Sequence, residues 1–414
     1  MSDSVYHEHE ILIGEDSMIA EKNALAKLLL CTEPERVAAG YIHTVAEIAA
    51  QPRLWLATSK MLEREFPEIS DFLGSGPRLL LSGAGSSHFV GLSVVPALRR
   101  VFPGVEAIPS TEIVMDPESC FPREDFILVS FARSGDSPEG VATVALAEKL
   151  RSSLVRHLAI TCNPEGELAR VVGALGSRGK VVVLPEETND RSLAMTSSFT
   201  SMALAGLSLG YAARGASGAF AELAASLAAV GESFIGRFSG VAASLVEEGF
   251  RRVFFVASRP FFGGALEAQL KVQELSGGAI IAKAEDTLGL RHGFMAAIDS
   301  DTLVLLFLSS DPYRRRYELD LAREIQSKGI CKKLVAIAEE PEGLAGLADL
   351  VFETGTRPGL GDESRAIPTV LSGQLLGLFA SLNLGLKPDS PSPSGVISRV
   401  VKGVTIHPYG TGTK

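Results

Sequence analysis

The feature that most constrains this chain is a pattern of short apolar segments alternating with helical stretches, and the pattern occurs twice. In the first copy the apolar segments are 78–81, 126–131, 157–160 and 180–184. In the second copy they are 252–256, 302–308, 333–337 and 349–352. Corresponding segments lie about 170–176 residues apart, as expected of a duplicated domain. Short apolar strands that alternate with helices predict an α/β protein with two parallel sheets, each covered by helices on both faces.

The stretches outside these segments set the predicted domain limits. Residues 1–60 are predicted to be an N-terminal helical segment, with helices over 16–30 and 37–56 and an interruption at Pro52. The first sheet domain covers 61–230 and the second covers 231–386, and a helix over 216–246 joins the two copies. Residues 387–414 begin with a Pro/Ser-rich loop and are predicted to form a C-terminal tail that completes the site.

Charge and hydropathy argue against several classes of partner. The 39 Lys and Arg residues against 49 Asp and Glu give a formal net charge of −10, which makes nucleic acid and anionic membranes poor candidates. The one dense cationic run, 314–316, is interpreted as a solvated helix face. The apolar stretch 370–386 contains Gln374 and Asn383 and is interpreted as a buried helix rather than a membrane span.

The expected location is the cytoplasm. The N-terminus is polar and acidic without the features of a signal peptide, and the four cysteines are scattered along the chain. The seven histidines do not cluster, so no metal site is expected. No part of the sequence calls for another cofactor.

A glycine-rich turn follows the first predicted strand. Gly83 and Gly85 let the backbone approach a ligand closely, and the start of the next helix favours a phosphate beside Ser86 and Ser87. A tight strand-to-helix turn without a ligand explains the same residues. A dinucleotide-binding motif needs a third glycine where this chain has His88, so an NAD-dependent oxidoreductase is a weak alternative.

Two further hydroxyl-rich loops follow strands of the first copy. Arg133, Ser134 and Ser137 come after the second strand, and Thr196 and Ser197 come after the fourth. Ser137 stands before a proline and is also a good helix cap, a role compatible with ligand binding. Because ligands of open α/β sheets bind at the carboxyl ends of the strands, the three loops together predict one phosphate pocket.

The second copy lacks these loops and carries acid–base groups instead. Glu267 and Glu274 are seven residues apart on one helix face, and His292 lies in a polar turn. Each of these residues alone would usually be structural. The difference between the two halves suggests that the first binds phosphate and the second supplies an acid and a base.

These motifs resemble those of the sugar isomerase (SIS) family. The phosphosugar-site motifs are 83–87, 132–139 and 194–199. The segments similar to the tagatose-6-phosphate ketose/aldose isomerase group within the family are 288–293, 311–321 and 398–408. The resemblance covers nearly the whole chain from about residue 40. It implies two tandem SIS domains, each a flavodoxin-like three-layer parallel sheet flanked by helices, with N-terminal helices before them.

The isomerase half of glucosamine-6-phosphate synthase, a more distant relative, implies roles for individual residues. Its catalytic glutamate corresponds to Glu274, its histidine to His292 and its C-terminal lysine to Lys402. Its phosphate-binding hydroxyls correspond to Ser134 and Ser137. The histidine of that relative comes from the partner subunit. The resemblance therefore implies a homodimer or larger assembly with sites at the subunit interface.

Two positions depart from the pattern of that relative. Ala132 stands where it has a phosphate-binding serine, and Phe294 stands where its histidine turn has proline. The first departure affects the detailed phosphate geometry, and the second affects the placement of His292.

The implied activity is aldose–ketose isomerisation of a hexose 6-phosphate, or deamination of an amino sugar phosphate such as galactosamine 6-phosphate by the same chemistry. Glu274 would move a proton between C1 and C2, His292 would open the ring, and Lys402 would stabilise the enediolate. The alternative is a non-catalytic sugar-phosphate-binding regulatory protein. Such proteins usually carry a DNA-binding or partner domain, and the N-terminal segment has no basic helix-turn-helix character.

Overall fold

Two five-stranded parallel sheets form the framework of the chain in a computed structural model that describes residues 23–357, 359–401 and 403–410. The first sheet consists of β1 Arg78–Ser82, β2 Val105–Ala107, β3 Phe126–Ala132, β4 Val155–Thr161 and β5 Gly179–Val183. The second consists of β6 Arg252–Ala257, β7 Ile281–Glu285, β8 Thr302–Phe307, β9 Lys333–Ala338 and β10 Leu350–Glu353. Their strand orders are β2-β1-β3-β4-β5 and β7-β6-β8-β9-β10, and every neighbouring pair is parallel.

The two orders are identical when the strands are counted from the start of each copy. This confirms the predicted duplication and the flavodoxin-like α/β architecture with N-terminal helices. In this strand order, the connection after β1 runs toward one edge of the sheet and the connection after β3 runs toward the other edge. This reversal opens a crevice between β1 and β3, which is the expected ligand site.

The helices lie between the strands, before the first sheet and after the second. Those of the first half are α1 Ala24–Leu29, α2 Glu33–Ala39, α3 Thr44–Leu73, α4 Ser86–Leu98, α5 Ser110–Met115, α6 Pro117–Cys120, α7 Pro138–Arg151, α8 Glu167–Gly173 and α9 Ser197–Ala212. The others are α10 Ser217–Glu248, α11 Phe262–Leu275, α12 Pro312–Lys328, α13 Asp362–Thr369 and α14 Leu371–Asn383. Single 3₁₀ turns occur at Gly176–Arg178, Glu186–Thr188, Gly289–Arg291 and Phe294–Ala297.

One continuous core joins the inner faces of the two sheets. Side chains alternate along each strand, so Leu79 and Leu81 enter this shared core while Leu80 enters a separate cluster on the outer face. The second sheet behaves in the same way, with Phe255 in the shared core and Phe254 in an outer cluster. Helices α3, α4, α9, α10, α11 and α14 fill the layer between the sheets. The two halves therefore pack as one body with a common helical centre.

All eight predicted strands are present, but two strands were not predicted. These are β2 and β7, which lie at corresponding edges of their sheets. Strand β2 has three residues, and β7 leaves Ile281 58% exposed. Edge strands bury little apolar surface, so neither carries the continuous apolar run that identified the others.

The predicted break at Pro52 is wrong. Helix α3 runs through Pro52, and the break between the first helices lies at Gly40 instead, where φ is +69°. A proline inside a helix leaves the carbonyl four residues earlier without its usual donor. Here the Gln51 side-chain amide donates to Ile48 O at 3.2 Å and replaces that donor. The first part of the helix predicted over 16–30 lies outside the described residues.

Two helical stretches, Ser217–Glu248 and Asp362–Asn383, have the length and apolar composition of a membrane span. Within the most apolar 18 residues of each, 50% of the first and 83% of the second are buried inside the protein. Both stretches pack in the helical layer between the sheets, as core helices do. The domain limits at residues 60, 230 and 386 stay a prediction, and α3 and α10 run across the first two of these positions.

Candidate active site

A pocket lined by hydroxyl groups lies at the carboxyl edge of the first sheet, in the crevice between β1 and β3. Its hydroxyls belong to Ser82, Ser87, Ser110, Ser130, Ser134, Ser137 and Thr143. Arg133 adds a guanidinium, and the tail residues Val400 and Val401 form part of the wall. Four of the predicted substrate-binding residues, Ser87, Arg133, Ser134 and Ser137, therefore come together in one cavity.

The glycine-rich turn shapes one side of this pocket. A Cβ on Gly83 would lie 2.6 Å from the backbone carbon of Ser87, so only glycine fits there. Gly85 has φ +55° and lies at the start of α4, a conformation that a larger residue rarely adopts. This close turn brings Ser87 to the cavity. Ser86 is buried behind it and accepts a hydrogen bond from Lys271 Nζ at 3.1 Å.

Two serines that were not predicted as site residues have hydroxyls free for a ligand. Ser82 ends β1 and Ser110 begins α5, and both are at least 98% buried. Neither Oγ atom has a hydrogen-bond partner within the described part of the chain. Buried hydroxyls are nearly always hydrogen-bonded, so these two are suited to bind a polar ligand in the cavity. Ser82 is the last residue of β1 and Ser110 follows β2 by three residues, so their positions at the carboxyl ends of strands could have identified them as site residues.

The loop after β3 is held by contacts within the loop and with its neighbour. Ser134 Oγ accepts from Asp136 N at 3.3 Å, and Ser137 Oγ donates to Glu139 Oε2 at 2.8 Å. Asn163 Nδ2 donates to Ser134 O at 2.8 Å and fixes the loop against the next one. Ser137 precedes Pro138 at the start of α7 and also lines the pocket. The same residue therefore begins the helix and forms part of the pocket wall, two roles predicted from the sequence to be compatible.

Arg133 connects the pocket wall to two other segments. Its buried guanidinium donates from Nη1 to the carbonyls of Ser192 at 3.2 Å and Leu193 at 3.0 Å, and from Nη2 to the carbonyl of Arg399. Burial lowers the pKa of this guanidinium, while the carboxylates of Asp190 and Glu274 act in the opposite direction. Arg133 therefore holds the pocket together, in addition to presenting positive charge to it.

The C-terminal tail is fixed beside the pocket by its own arginine. Arg399 donates from Nε to Asp190 O at 2.8 Å and from Nη2 to Asn189 Oδ1 at 2.7 Å. Further along, the carbonyl of Tyr409 accepts from Lys149 Nζ at 2.7 Å. The tail is thus anchored at Arg399 and at Tyr409, and Val400 and Val401 line the cavity. Lys402, the predicted catalytic lysine of this tail, lies outside the described residues.

Thr196 and Ser197 do not reach the pocket. Both are completely buried, and both donate their hydroxyls to the carboxylate of Asp190, which also accepts from the backbone N–H groups of Thr196, Ser197 and Ser198. The carboxylate thus satisfies donors at the start of α9. The sequence placed these hydroxyls on the correct edge of the sheet, but they stabilise the loop that Arg133 contacts.

A buried charge cluster connects the second half to this site. Lys271 of α11 is completely buried, and its Nζ lies 3.1 Å from Glu267 Oε1 and 2.6 Å from Glu274 Oε2. Burial acts to lower the pKa of Lys271, but the two carboxylates outweigh it and the net pKa is raised. Burial raises the pKa of Glu267 to about 7, against the opposite effect of Lys271. The lysine was not predicted as a site residue.

Glu274 is the member of this cluster that can meet a substrate. Its side chain is 22% exposed, whereas those of Glu267 and Lys271 are fully buried. Helix α11 packs against α4, which begins with Ser86 and Ser87. Lys271 Nζ, which lies 2.6 Å from Glu274 Oε2, also donates to Ser86 Oγ at 3.1 Å, next to the pocket residue Ser87. The carboxylate of the second half therefore lies near the pocket of the first, although it does not line it.

His292 lies elsewhere. It is exposed between the turns Gly289–Arg291 and Phe294–Ala297, after the edge strand β7, and it does not line the hydroxyl pocket. Its neighbour Arg291 is paired with Glu324 at 2.6 Å. Within residues 23–357, 359–401 and 403–410, no group of three His, Cys, Asp or Glu side chains is arranged to hold a metal ion.

Comparison with known proteins identifies relatives along most of the chain. No family model matches. An AgaS protein of Streptomyces coelicolor is 41% identical over 380 residues, which cover 88% of this chain and 95% of the relative. D-galactosamine-6-phosphate deaminase AgaS of Escherichia coli O157:H7 is 34% identical over 88% of this chain and 96% of its own.

Solved structures agree with this result. Tagatose-6-phosphate ketose/aldose isomerase from Escherichia coli superimposes with a TM-score of 0.79 at 31% identity, covering 89% of this chain and 96% of that one. A protein of Clostridium novyi NT gives 0.85 at 35% identity over 91% and 97%. The resemblance to the SIS family is thereby confirmed, as is the prediction of an enzyme that isomerises a phosphosugar or deaminates an amino sugar phosphate. The chain belongs to the AgaS family of SIS-fold phosphosugar enzymes.

Proposed function

We propose that this protein converts galactosamine 6-phosphate and water into tagatose 6-phosphate and ammonia. The observation that carries the proposal is the link from Glu274 of the second half, through Lys271, to Ser86 beside the hydroxyl-lined pocket of the first half. A phosphate group would be bound by several neutral donors, and an acid–base group would stand near the carbons that react. The relatives named D-galactosamine-6-phosphate deaminase support the choice of an amino sugar.

The phosphate would occupy the crevice between β1 and β3. Ser134 and Ser137 lie on one side, and Ser82, Ser87 and Ser110 lie on the other. The two unpartnered hydroxyls of Ser82 and Ser110 would gain hydrogen bonds when the phosphate enters. Binding a group remote from the reacting carbons orients the sugar, because that binding energy can hold C1 and C2 beside the catalytic groups.

Glu274 would carry the proton between the two carbons. It would remove the proton from C2 and return it to C1 through an enolamine, which gives an imine at C2. Water would then add to C2 and ammonia would leave, so that the ketose is formed. Lys271 would hold the carboxylate in place at 2.6 Å. The positive charge of Lys402, which follows the anchored segment 399–401, would stabilise the developing oxyanion.

Ring opening would be the task of His292 of a partner subunit. The exposed position of His292, away from the pocket of its own chain, supports this assignment. An imidazole has one nitrogen that donates a proton and one that accepts a proton, so it can pass a proton between two sugar oxygens. The proposal therefore includes a homodimer or larger assembly in the cytoplasm, with each site completed across the interface.

Simple isomerisation without loss of ammonia is the second candidate. The similarity to a structure named tagatose-6-phosphate ketose/aldose isomerase favours it. The same pocket and the same carboxylate would serve, because both reactions move a proton between C1 and C2. The two candidates differ only in the substituent on C2 of the substrate.

A coupled assay of the purified protein distinguishes them. Galactosamine 6-phosphate, glucosamine 6-phosphate and tagatose 6-phosphate are offered separately, while ammonia release and aldose–ketose interconversion are followed. Ammonia from galactosamine 6-phosphate at a rate above that from its gluco epimer is the expected result. Isomerisation of tagatose 6-phosphate without any ammonia from the amino sugars would establish the second candidate. Binding without either product would establish a regulatory protein and remove the catalytic roles of Glu274 and His292.

A further inference from the structure

A second cavity lies in the second sheet at the position that corresponds to the hydroxyl pocket of the first. It is in the crevice between β6 and β8, the counterparts of β1 and β3. Ser258 follows β6 as Gly83 follows β1, and Thr287 follows β7 as Ser110 follows β2. A change of direction between neighbouring strands creates such a crevice in each doubly wound sheet, so the duplication has produced a second potential ligand site.

A buried hydroxyl that lines this second cavity has no partner among the described residues. Thr287 is 3% exposed, and its Oγ1 has no hydrogen-bond partner among the residues that the structure describes. A buried hydroxyl of this kind is destabilising unless a ligand or water satisfies it. Ser110 shows the same behaviour at the corresponding position of the first pocket. Thr287 is therefore available to donate a hydrogen bond to whatever enters.

Positive charge is also available at the cavity. Arg259 is exposed at the start of the loop after β6, and its guanidinium makes no hydrogen bond or ion pair with a described side chain. Arg314 is already used, because it donates to Ser309 Oγ and to Asp362 Oδ2, each at 2.9 Å. Arg259 is thus the group that remains to meet an anion.

The two carboxylates that line the cavity accept hydrogen bonds from the protein. Asp286 accepts from the backbone N–H groups of Leu288 at 3.1 Å and Gly289 at 2.7 Å. Glu318 accepts from Ser258 Oγ and from Ser309 N. Both oxygens of Glu318 thus accept from donors of the protein, whereas Asp286 accepts through Oδ1 alone. Arg259 remains the cation of this cavity that has no such partner among the described residues.

Two tyrosines form an aromatic wall on the open side. Tyr313 is 61% exposed and Tyr317 is 40% exposed, with ring centroids 5.2 Å apart and planes at 74°. Their hydroxyls lie 3.1 Å from each other. Aromatic rings with polar edges suit a ligand that has both an apolar face and hydroxyl groups, as a pyranose ring does.

We propose that this cavity is a second binding site for a sugar phosphate, separate from the site of catalysis. Arg259 binds the phosphate, Tyr313 and Tyr317 cover one face of the sugar, and Thr287 donates to a sugar oxygen. Glu318, one of the two carboxylates of this cavity, has both oxygens engaged by donors of the protein, and the ligand is bound here without being converted. The proposal goes beyond the proposed activity and does not depend on which reaction the first pocket performs.

The test counts binding sites with a sugar phosphate that cannot react. 1,5-Anhydrogalactitol 6-phosphate keeps the pyranose ring but has neither a free anomeric carbon nor an amino group, and its binding to the full-length protein is measured by isothermal titration calorimetry. Two sites per chain are expected. Arg259→Ala should remove one of them or weaken it by about 10- to 100-fold, the effect of losing a charge-assisted hydrogen bond. Arg323→Ala is the matched control, because it removes the same charge from an exposed position of α12 away from the cavity.

A second variant tests the buried hydroxyl. Thr287→Val keeps the shape of the side chain and removes a hydroxyl without a partner, so the protein should fold as well as before. Affinity of the second site should fall about threefold to tenfold. A single site per chain in the native protein would overturn the proposal, as would two sites that both survive Arg259→Ala. A change in assembly caused by Arg259→Ala, seen by analytical ultracentrifugation, would also overturn it by assigning the cavity to contact with a second copy. Failure of the proposed activity would appear only in turnover and not in the number of sites.

Discussion

Lys271 Nζ lies 2.6 Å from Glu274 Oε2, and this contact fixes the proposed catalytic carboxylate from within the protein core. The two residues are three positions apart on α11, so their side chains project from the same face of the helix. Glu267, one turn earlier, contributes a second carboxylate at 3.1 Å. A lysine between two acids holds Glu274 in one position while its own charge remains balanced.

Lys271→Met is expected to lower both stability and turnover. It leaves two carboxylates without their cation, and removing one partner of a buried ion pair costs about 3–5 kcal/mol. Replacing Glu267 by Leu in the same protein removes the other buried charge, so the double variant should recover most of that stability. Turnover should not recover, because Glu274 still lacks the ammonium that positions it. Urea denaturation and steady-state assays of both variants separate the two effects, and recovered turnover in the double variant would contradict a positioning role.

Glu274→Gln tests the base itself. The amide has the same shape but cannot take up the proton, so kcat should fall about 10²- to 10⁴-fold. Binding of 1,5-anhydrogalactitol 6-phosphate in the hydroxyl pocket should be unchanged, as measured by calorimetry. Gln273→Ala is the control, because Gln273 is the exposed neighbour on the same helix. Normal turnover of Glu274→Gln would remove the carboxylate from the mechanism.

Ser82→Ala and Ser110→Ala probe two buried hydroxyls of the pocket that have no hydrogen-bond partner among the described residues. Each variant should raise KM about threefold to tenfold, the effect of one lost neutral hydrogen bond to the phosphate. Neither should lower the free energy of unfolding, because no hydrogen bond within the chain is lost. Ser208→Ala is the control, because it should lower the free energy of unfolding and leave KM unchanged. Ser208 Oγ is buried in α9 and donates to Ala205 O at 2.7 Å. An unchanged KM in both pocket variants would place the phosphate elsewhere.

Glu47 is expected to make the free energy of unfolding fall as pH rises. Burial raises its pKa to about 7, helped by the nearby carboxylate of Asp190, although Ser192 and Arg191 donate hydrogen bonds to it. In the unfolded chain the group loses its proton near pH 4.5, whereas in the folded chain it keeps the proton to about pH 7. The free energy of unfolding should therefore fall between these pH values, by on the order of 2 kcal/mol.

Chemical denaturation at pH 5, 6, 7 and 8 measures this slope. Glu47→Gln should remove part of it, and Glu267 should supply the rest, because burial raises its pKa in the same direction. An unchanged slope in Glu47→Gln would show that Glu47 is charged in the folded state throughout.

The fold could be predicted from the sequence wherever burial leaves a continuous apolar run. The segments around Leu79, Ile127 and Phe255 are buried on both faces of their sheets, and all were found. The edge strands Val105–Ala107 and Ile281–Glu285 were missed because one side of an edge strand is not covered and its sequence need not be apolar. Pro52 was wrongly taken as a break because its compensation, the Gln51 amide on Ile48 O, depends on a side-chain rotamer.

The site could be predicted in outline, but not the use of each polar residue. Ser134 and Ser137, which follow a strand, line the pocket, whereas Thr196 and Ser197 on the same edge donate to the buried carboxylate of Asp190. Residue type alone does not distinguish a hydroxyl that binds a ligand from one that satisfies a buried carboxylate. Lys271 was missed because a lysine on a helix is normally solvated, and its burial follows only from the packing of α11 against α4 and α14.

The close approach of α11 to α4 is the packing on which the charge cluster depends. A Cβ on Gly263 of α11 would lie 2.5 Å from the backbone nitrogen of Ser93 in α4, too close for the helices to keep their separation. Gly263→Ala should therefore destabilise the protein by about 1–3 kcal/mol, although alanine is intrinsically the better helix former. It should also lower kcat, because separating the helices moves Glu274 away from the pocket that begins at Ser87. Gly236→Ala in α10 is the control: its added Cβ meets only Asn23 Nδ2 at 3.8 Å, and the change should stabilise the protein by about 0.5–1 kcal/mol. Thermal and urea denaturation measure both variants, and equal stabilisation by the two would show that the contact between α4 and α11 is looser than the distance indicates.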